Sequence, residues 1–320
     1  MIRYILKRIL LMIPVMIGVA IIIFTIMYFV PGDPTATILG AGATVEEKLA
    51  LRERMGLNDP YFTQLGRFLS QLFLHLDFGT SYTSSRPVLG ELMERLPRTA
   101  IITLGSIVIA VLLGLPLGIT AAVHQNTWID RGAIFISLLG LSMPNFWLAL
   151  LLVLLFSLRL GWLPSFGMDS VMSFIMPWVA SCFGTLAQLA RQSRSSMLEV
   201  IRQDYITTAK AKGVSPRNVI YRHALPNALI PVVTVIGTSI ASGLAGSLVI
   251  EQVYSIPGLG LYMMNSLSQR NYASVQGAIV FTSFMFSIIM LVVDIVYAYI
   301  DPRIKAQYEG VKKRKVAENE

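Results

Sequence analysis

Long apolar runs alternate with short polar connections along the whole chain. Each of six runs is about 20 residues or longer, enough for a helix to cross a hydrocarbon core of about 30 Å. In lipid the backbone must satisfy its own hydrogen bonds, as a helix or a closed barrel, and these runs are too long for barrel strands. The pattern predicts an all-α polytopic membrane protein with six transmembrane helices, at residues 9–30, 100–123, 133–158, 171–190, 229–250 and 278–300.

The composition supports a membrane class and excludes an ordinary soluble domain. Hydrophobic residues make up 54% of the 320 residues and charged residues only 14%, with a mean hydropathy of +0.65. The basic start and first apolar run resemble a secretory signal. However, a signal core is only about 7–15 residues long, and Pro31-Gly32-Asp33-Pro34 follows instead of a small-residue cleavage site. We therefore expect an uncleaved anchor.

Lysine and arginine are distributed unevenly between the connections. They cluster at the amino terminus, between residues 191 and 222, and in the tail 303–315, whereas the short outer connections hold only Arg159 and Arg270. The positive-inside rule then places both termini in the cytoplasm. The net charge of +8 follows from this topology, so we expect a lipid environment and no nucleic-acid partner. An RNA-binding tail at 312–315 is the alternative interpretation.

One sizeable extramembrane segment, residues 31–98, follows the first span. Thr44 and Glu47 have the spacing of a capping box, which predicts a helix over 44–55. A second helix is predicted over 62–76, with a turn at 77–81. The segment is either a small cap on the helix bundle or a docking surface for an extracytoplasmic partner.

Spans four and five carry more polar residues than lipid contact favours. Ser239, Gly243 and Ser247 recur every four residues and form a small-residue face. Hydroxyl and amide groups elsewhere in the two spans suggest a polar path, for which the candidate residues are Gln188, Thr234, Thr238 and Ser242, together with Asp294 of span six. The alternative is hydrogen bonding within a packed bundle. Asp294 also needs a partner or a water-filled cavity, because a carboxylate in lipid is costly.

The chain lacks the motifs of several energy-using or catalytic classes. It has no GxxxxGK[ST] phosphate loop and no HExxH, and its single cysteine, Cys182, excludes an intramolecular disulfide. No predicted span contains a histidine that could activate a serine, which disfavours an intramembrane hydrolase. We expect no catalytic residues, no metal site and no cofactor bound by this chain.

The polar segment 204–231, between spans four and five, predicts two short helices at the membrane surface. Residues 205–212 should form the first helix, and Gly213 can supply the left-handed residue that ends it. Ser215 and Pro216 have the residue types that begin a helix, predicted over 217–224 and ending near Pro226. Ala209 and Ala211 are expected to be exposed, which would let a soluble partner approach closely. A helix lying on lipid headgroups is the alternative.

This segment resembles the EAA loop of ABC-importer permeases, in which EAA-x3-G is followed by I-x-L-P. The pattern falls on Thr207-Thr208-Ala209, Gly213 and His223-Ala224-Leu225-Pro226, with departures at Thr207, Thr208 and His223. The longer string RSSMLEVxxxDYxxTAxAKG is similar to the dipeptide/oligopeptide/nickel branch. Further matches lie along the chain, at residues 31–34, 77–79, 257–260 and 301–303. The long outer segment resembles the B-type permease.

The resemblance implies a type I ABC importer permease fold in a bacterial or archaeal cytoplasmic membrane. The implied partners are a homologous C-type permease, two ATPase subunits that carry ATP and Mg, and an extracytoplasmic binding protein. The residues expected to couple to an ATPase are Asp204, Tyr205, Thr208, Ala209, Lys212, Gly213, His223 and Leu225.

The implied function is non-catalytic transport of di- and oligopeptides. A nickel or metal-chelate permease of the same family, or an ion-coupled secondary transporter using Asp294, are alternatives. The expected organisation is the cytoplasmic amino terminus with helix 1 (1–30), the extracytoplasmic segment (31–98), the core (99–302) with its coupling loop (195–228), and a basic cytoplasmic tail (303–320).

Overall fold

The computed structural model describes residues 2–40 and 42–300. Every regular element in this part of the chain is helical; the tail 303–320 and the 301–303 match lie outside it. The helices are α1 (Ile2–Phe29), α2 (Pro34–Leu39), α3 (Val45–Arg54), α4 (Tyr61–Leu74), α5 (Val88–Val123), α6 (Trp128–Ser142), α7 (Asn145–Leu152), α8 (Met172–Ile201), α9 (Asp204–Ala211), α10 (Pro216–Asn218), α11 (Leu225–Leu244), α12 (Leu248–Val253), α13 (Leu259–Ser268) and α14 (Tyr272–Ile300). Two π-helical segments, Val153–Arg159 and Val219–Ala224, continue α7 and α10.

The predicted all-α membrane architecture is confirmed. Five helices of the described chain are long and apolar enough to cross a membrane: Ile5–Phe29, Val88–Val123, Met172–Ile201, Pro216–Leu244 and Tyr272–Val296. A sixth crossing is formed if the bent pair Trp128–Ser142 and Asn145–Arg159 counts as one span.

Two of the predicted spans are not single continuous helices. The third bends by 93° between α6 and α7, where Met143 and Pro144 have extended backbones and the proline has no N–H for the helical ladder. The fifth ends at Leu244 instead of residue 250. Gly246 there has φ +116°, and a Cβ on it would lie 2.7 Å from the backbone nitrogen of Gly260. The chain turns because only glycine fits this approach.

The tightest packing in the bundle lies between α5 and α8. A side chain on Gly118 would clash with Ser193 and with the backbone of Ala190, and one on Gly114 would lie 2.9 Å from the carbonyl oxygen of Leu186. These two glycines are four residues apart and therefore lie on one face of α5. Small residues on that face let the two backbones come close, as is common between helices in membranes.

The segment 31–98 contains the two helices expected there. Thr44 and Glu47 form the predicted capping box, in which each bonds the other's backbone amide. Helix α4 packs along α1, with the rings of Phe24 and Phe68 5.4 Å apart and the hydroxyls of Thr25 and Tyr61 2.7 Å apart. The segment is thus fixed to the first span.

The 31–34 motif connects this segment to the start of α14. Asp33 is the N-cap of α2, and Pro34 occupies its first turn. A side chain on Gly32 would collide with the hydroxyl of Tyr272, and Thr37 donates to the carbonyl oxygen of Gln269 at 3.3 Å. Gly32 therefore allows the close approach of Tyr272, and Asp33 caps α2.

Candidate functional site

A cavity of about 770 Å³ lies among α5, α7, α8, α11 and α12. Most of its lining is polar or small: Thr103, Ser106, Asn145, Ser181, Gly184, Thr185, Gln188, Thr238, Ser239, Ser242, Gly243, Gly246 and Ser247. Ile107, Phe146, Leu248, Val249 and Ile250 supply the apolar part. The volume is in the range of small-molecule sites.

Helical spacing places the polar residues of α8 and α11 on the cavity. Ser181, Thr185 and Gln188 follow one another at intervals of four and three residues, so they share one face of α8. On α11, Thr238 and Ser239 lie four and three residues before Ser242, and all three line the cavity. Asn145 reaches the cavity because the break before α7 exposes the first turn of that helix. The sequence signal for this site was the clustering of hydroxyl groups within otherwise apolar helices.

The closest approach in the cavity wall joins α5 to α11. A side chain on Gly243 would clash with Thr103, so the central glycine of the small-residue row is required for this contact. The hydroxyls of Thr103 and Ser181 are buried and have no hydrogen-bond partner among the described residues. A buried polar group without a partner is costly. Thr103 and Ser181 both belong to the lining of this cavity.

The path candidates do not all reach this cavity. Gln188, Thr238 and Ser242 line it, whereas Thr234 and Asp294 do not. The Thr234 carbonyl accepts a bond of 2.9 Å from the Thr238 hydroxyl within α11.

Asp294 faces α1 instead. Its carboxylate lies 3.0 Å from the Arg8 guanidinium, beside a second, smaller cavity of about 240 Å³ between α1 and α14. Residues Leu11, Met12, Val15, Phe286, Met290 and Leu291 supply its apolar walls. The ion pair with Arg8 offsets the cost of placing a carboxylate within an apolar span.

A buried carboxylate that the sequence reasoning missed holds the outer edge of the site together. Glu251 of α12 is fully buried and accepts bonds of 2.8 Å from the Thr99 hydroxyl and from the Leu261 backbone amide. Thr99 in turn accepts from the Leu259 amide at 2.8 Å. Thr99 and Glu251 therefore accept from two free amides, those of Leu259 and Leu261, at the start of α13. A side chain on Gly258 would strike the Glu251 carboxylate, which explains the glycine of the 257–260 motif.

The loop of residues 204–225 follows the predicted order of elements with two corrections. Helix α9 ends as expected, at Gly213 with φ +76°, and Pro216 begins the next helix. Ser215 occupies the N-cap position without a side-chain cap bond. The predicted end near Pro226 is wrong: the chain continues through the π-helical segment Val219–Ala224 into α11. Pro226 has no N–H to donate, and it stands where the hydrogen bonding changes from the π to the α pattern.

The loop residues differ in exposure. Asp204, Tyr205, Thr208, Lys212 and Gly213 are exposed, and His223 and Leu225 are partly buried.

The expectation of an exposed Ala209 is wrong, since it is only 8% exposed. Ala209 follows Ile206, which is fully buried, by one turn of α9 and shares its inward face. The exposed alanine of the string is Ala211.

The loop is fastened to the bundle rather than lying free. Ile206 packs with Met197, Val219, Ala224 and other residues in one apolar cluster. Outside this cluster, the Asn227 side chain donates to the Tyr205 hydroxyl at 2.9 Å. Movement of α9 must therefore move the ends of α8 and α11 with it.

A buried ion pair joins α6 to α8 next to this loop. Arg194 donates to both carboxylate oxygens of Asp130, through Nε at 2.5 Å and Nη2 at 2.7 Å. The Asn126 backbone amide donates to the same carboxylate at 2.9 Å. Asp130 is 2% exposed. Sequence reasoning did not pair these residues, which stand 64 positions apart, because only the packing of α6 on α8 brings them together.

No group of three or more His, Cys, Asp or Glu side chains among the described residues is arranged to hold a metal ion. Cys182 is a buried free thiol.

Comparison with known proteins places this architecture in one family. Residues 114–306 match the profile of the binding-protein-dependent transport system inner membrane component, and residues 1–103 match the amino-terminal profile of such membrane components. The chain is 40% identical to the dipeptide transport system permease protein DppB of Alkalihalophilus pseudofirmus, with 95% of this chain and 100% of the relative covered.

Two further relatives are also named as transport system permeases. A putative peptide transport system permease protein of Brucella abortus is 43% identical, over 94% of this chain and 98% of its own length. The glutathione transport system permease protein GsiC of Salmonella paratyphi A is 40% identical, over 95% and 99%.

A structure of the MetNI methionine ABC transporter in an inward facing conformation matches with a TM-score of 0.57. It is 19% identical and covers 67% of this chain and 97% of that chain, which supports the type I importer fold. The chain belongs to the binding-protein-dependent transport system inner membrane components, as an ABC-importer permease of the dipeptide/oligopeptide branch.

Proposed function

We propose that this chain is the B-type permease subunit of an ATP-driven importer of di- and oligopeptides. The observation that carries the proposal is full-length similarity to permeases named for dipeptide, peptide and glutathione transport. The polar cavity between α8 and α11 is consistent with it, because its size and chemistry suit a small hydrogen-bonding solute. Gln188, Thr238 and Ser242 line the translocation path.

The loop from Asp204 to Leu225 transmits force to that path. Its exposed residues, Tyr205, Thr208 and Lys212, contact a cytoplasmic ATPase subunit, and the left-handed turn at Gly213 sets the direction in which α9 projects. ATP and Mg bind to the two ATPase subunits. Their closure moves the loop, and the bundle switches between two access states because each nucleotide state favours one of them.

The remaining parts of the assembly lie on the other side of the membrane and beside this chain. An extracytoplasmic binding protein delivers the peptide near residues 31–98, and a homologous C-type permease completes the path. Both termini face the cytoplasm, where the basic connections lie.

The decisive test replaces Gly213 by valine. A β-branched residue resists the left-handed backbone at φ +76°, so α9 should project differently while the six crossings stay in the membrane. We expect normal membrane insertion, ATPase activity that no longer depends on loaded binding protein, and loss of dipeptide uptake. Insertion is measured by membrane fractionation and uptake with a radiolabelled dipeptide.

Gly161→Val is the matched control. Gly161 also has a left-handed backbone, φ +65°, and no neighbour that a Cβ would meet, but it lies at the opposite end of the bundle from α9. It should retain uptake. If Gly213→Val transports as well as the unaltered protein, the coupling assignment is wrong.

A further inference from the structure

We propose that the cavity wall contributed by this chain is a charge-neutral part of the path, which binds the peptide backbone and does not select peptides by charge. The inference rests on the proposed peptide function and adds to it a basis for specificity. It predicts that one carboxylate at Gln188 would create charge selection.

The chemistry of the wall is uniform. Ten polar side chains line the cavity, all of them hydroxyls or primary amides, and no ionisable side chain is found among the described residues of the lining. Hydroxyl and amide groups both donate and accept hydrogen bonds. They can therefore pair with the N–H and C=O groups that all peptides share, whatever their side chains carry.

Charged residues near the cavity are directed away from it. Glu251 follows the lining residue Ile250, yet its carboxylate is bound on the α13 side by Thr99 and Leu261. Asp294 pairs with Arg8 between α1 and α14. These two carboxylates are thus bound outside the cavity, and its described lining holds no fixed charge.

A neutral wall has a physical consequence for a path through a membrane. A fixed charge in a poorly solvated cavity attracts the opposite charge and repels the like charge strongly, since the effective dielectric constant is far below that of water. A carrier of varied peptides would then hold some too tightly and exclude others. Hydrogen-bonding groups without charge avoid both outcomes.

Gln188 is the position at which this can be tested with least disturbance. It is exposed in the bundle, whereas both of its neighbours on α8, Ala187 and Leu189, are buried. Its amide therefore points into the cavity. Gln188→Glu changes the charge with almost no change in shape.

The matched control is Gln192→Glu, the same exchange four residues further along α8. Gln192 bonds the Ser196 hydroxyl at 3.1 Å and does not line the cavity. Any effect of an added charge on insertion, folding or the membrane potential should be similar in both variants. A difference in uptake between the two variants is therefore due to the charge in the cavity lining.

The experiment uses the complete transporter reconstituted in liposomes with its binding protein. Uptake of alanyl-lysine, alanyl-glutamine and alanyl-glutamate is measured at peptide concentrations that saturate the binding protein, so that its affinity for each peptide no longer affects the rate. We expect the unaltered protein to move the three at similar rates. Gln188→Glu should raise the ratio of alanyl-lysine to alanyl-glutamate uptake about tenfold, and Gln192→Glu should not.

Three results would overturn the inference alone: strong charge preference in the unaltered protein, an unchanged ratio in Gln188→Glu, or an equal shift in Gln192→Glu. Absence of uptake of all three dipeptides by the unaltered protein would overturn the proposed function and this inference with it. The two failures are therefore distinguishable.

Discussion

Single residues in the segment 31–98 determine the local geometry of the family motifs that lie there. Asp33 caps α2 through bonds from the Thr35 amide at 3.0 Å and the Thr35 hydroxyl at 2.6 Å, and lies 3.5 Å from the Arg52 guanidinium. In the 77–79 motif, the Gly79 amide donates to the Asp77 carboxylate at 2.8 Å, with a left-handed backbone that favours glycine. Asp33 thus caps a helix, and Asp77 and Gly79 form a turn.

Asp33→Ala should destabilise α2 locally by about 1 kcal/mol, the usual cost of losing an N-cap. Asp33→Asn should cost less, because the amide oxygen can still accept from the Thr35 backbone. Hydrogen exchange of residues 34–40, followed by mass spectrometry, measures both. Equal protection in the alanine variant and the unaltered protein would contradict the capping role.

The same helix should respond to pH. The Thr35 hydroxyl, chiefly, holds the pKa of Asp33 below its usual range, with smaller help from the Thr35 amide and Arg52. A lowered folded pKa means that the stabilisation is fully present above the ordinary aspartate pKa of about 3.9. It is lost as pH falls through the lower folded pKa. In Asp33→Asn, which does not titrate, α2 protection should not show this loss.

At the scale of elements, the junction of α6, α8 and α9 connects the 204–225 loop to the cavity wall. Asp130 and Arg194 fasten α6 to α8, and α8 continues from the cavity residue Gln188 to the start of the loop. Helix α6 leads through the Pro144 break to Asn145 on the other side of the cavity. A displacement of the loop can therefore reach both walls through rigid helices.

Asp130→Asn should lower the free energy of unfolding by about 3 kcal/mol, since it leaves a largely buried guanidinium without its charge partner. The double variant Asp130→Asn with Arg194→Gln should recover much of that loss because neither charge remains. The measurement is thermal unfolding in detergent of the purified unaltered protein, the single variant and the double variant.

An exposed pair provides the comparison. Arg67 and Asp59 also form an ion pair, but both are more than a third exposed, and exposed pairs contribute little. Asp59→Asn should leave the midpoint nearly unchanged. If Asp130→Asn behaves the same way, the pair between α6 and α8 is not a stabilising link.

For the whole molecule, the distribution of charge gives an orientation that labelling can test. The loop around Ser215 lies among the basic connections assigned to the cytoplasm, and Ser84 lies in the segment assigned to the outer face; both serines are exposed. Cys182 is the chain's one cysteine and is buried, so it can be replaced by alanine to give a clean background.

In that background, a membrane-impermeant thiol reagent should label Ser84→Cys in intact cells. Ser215→Cys should react only after the membrane is permeabilised. Labelling in the reverse pattern would invert the topology, and with it the assignment of the 204–225 loop to the ATPase side.

Local features of the sequence determine many of the helices of this protein and their ends. Apolar runs longer than a bilayer determine the helical crossings, and the capping box, the Gly213 turn and Pro216 determine where short helices begin and end, because each depends on neighbours a few residues away. The motif string of the loop likewise identifies the family without reference to packing.

Tertiary structure decided what depends on contacts between distant residues. It set the 93° angle between α6 and α7 at Pro144, ended the fifth span at the Gly246 approach to Gly260, and turned Ala209 inward. It also separated Asp294, paired with Arg8, from the cavity that Gln188, Thr238 and Ser242 share. Periodicity tells which residues share a face of one helix, but which helix packs on that face, and at what depth, is fixed only when the helices pack together.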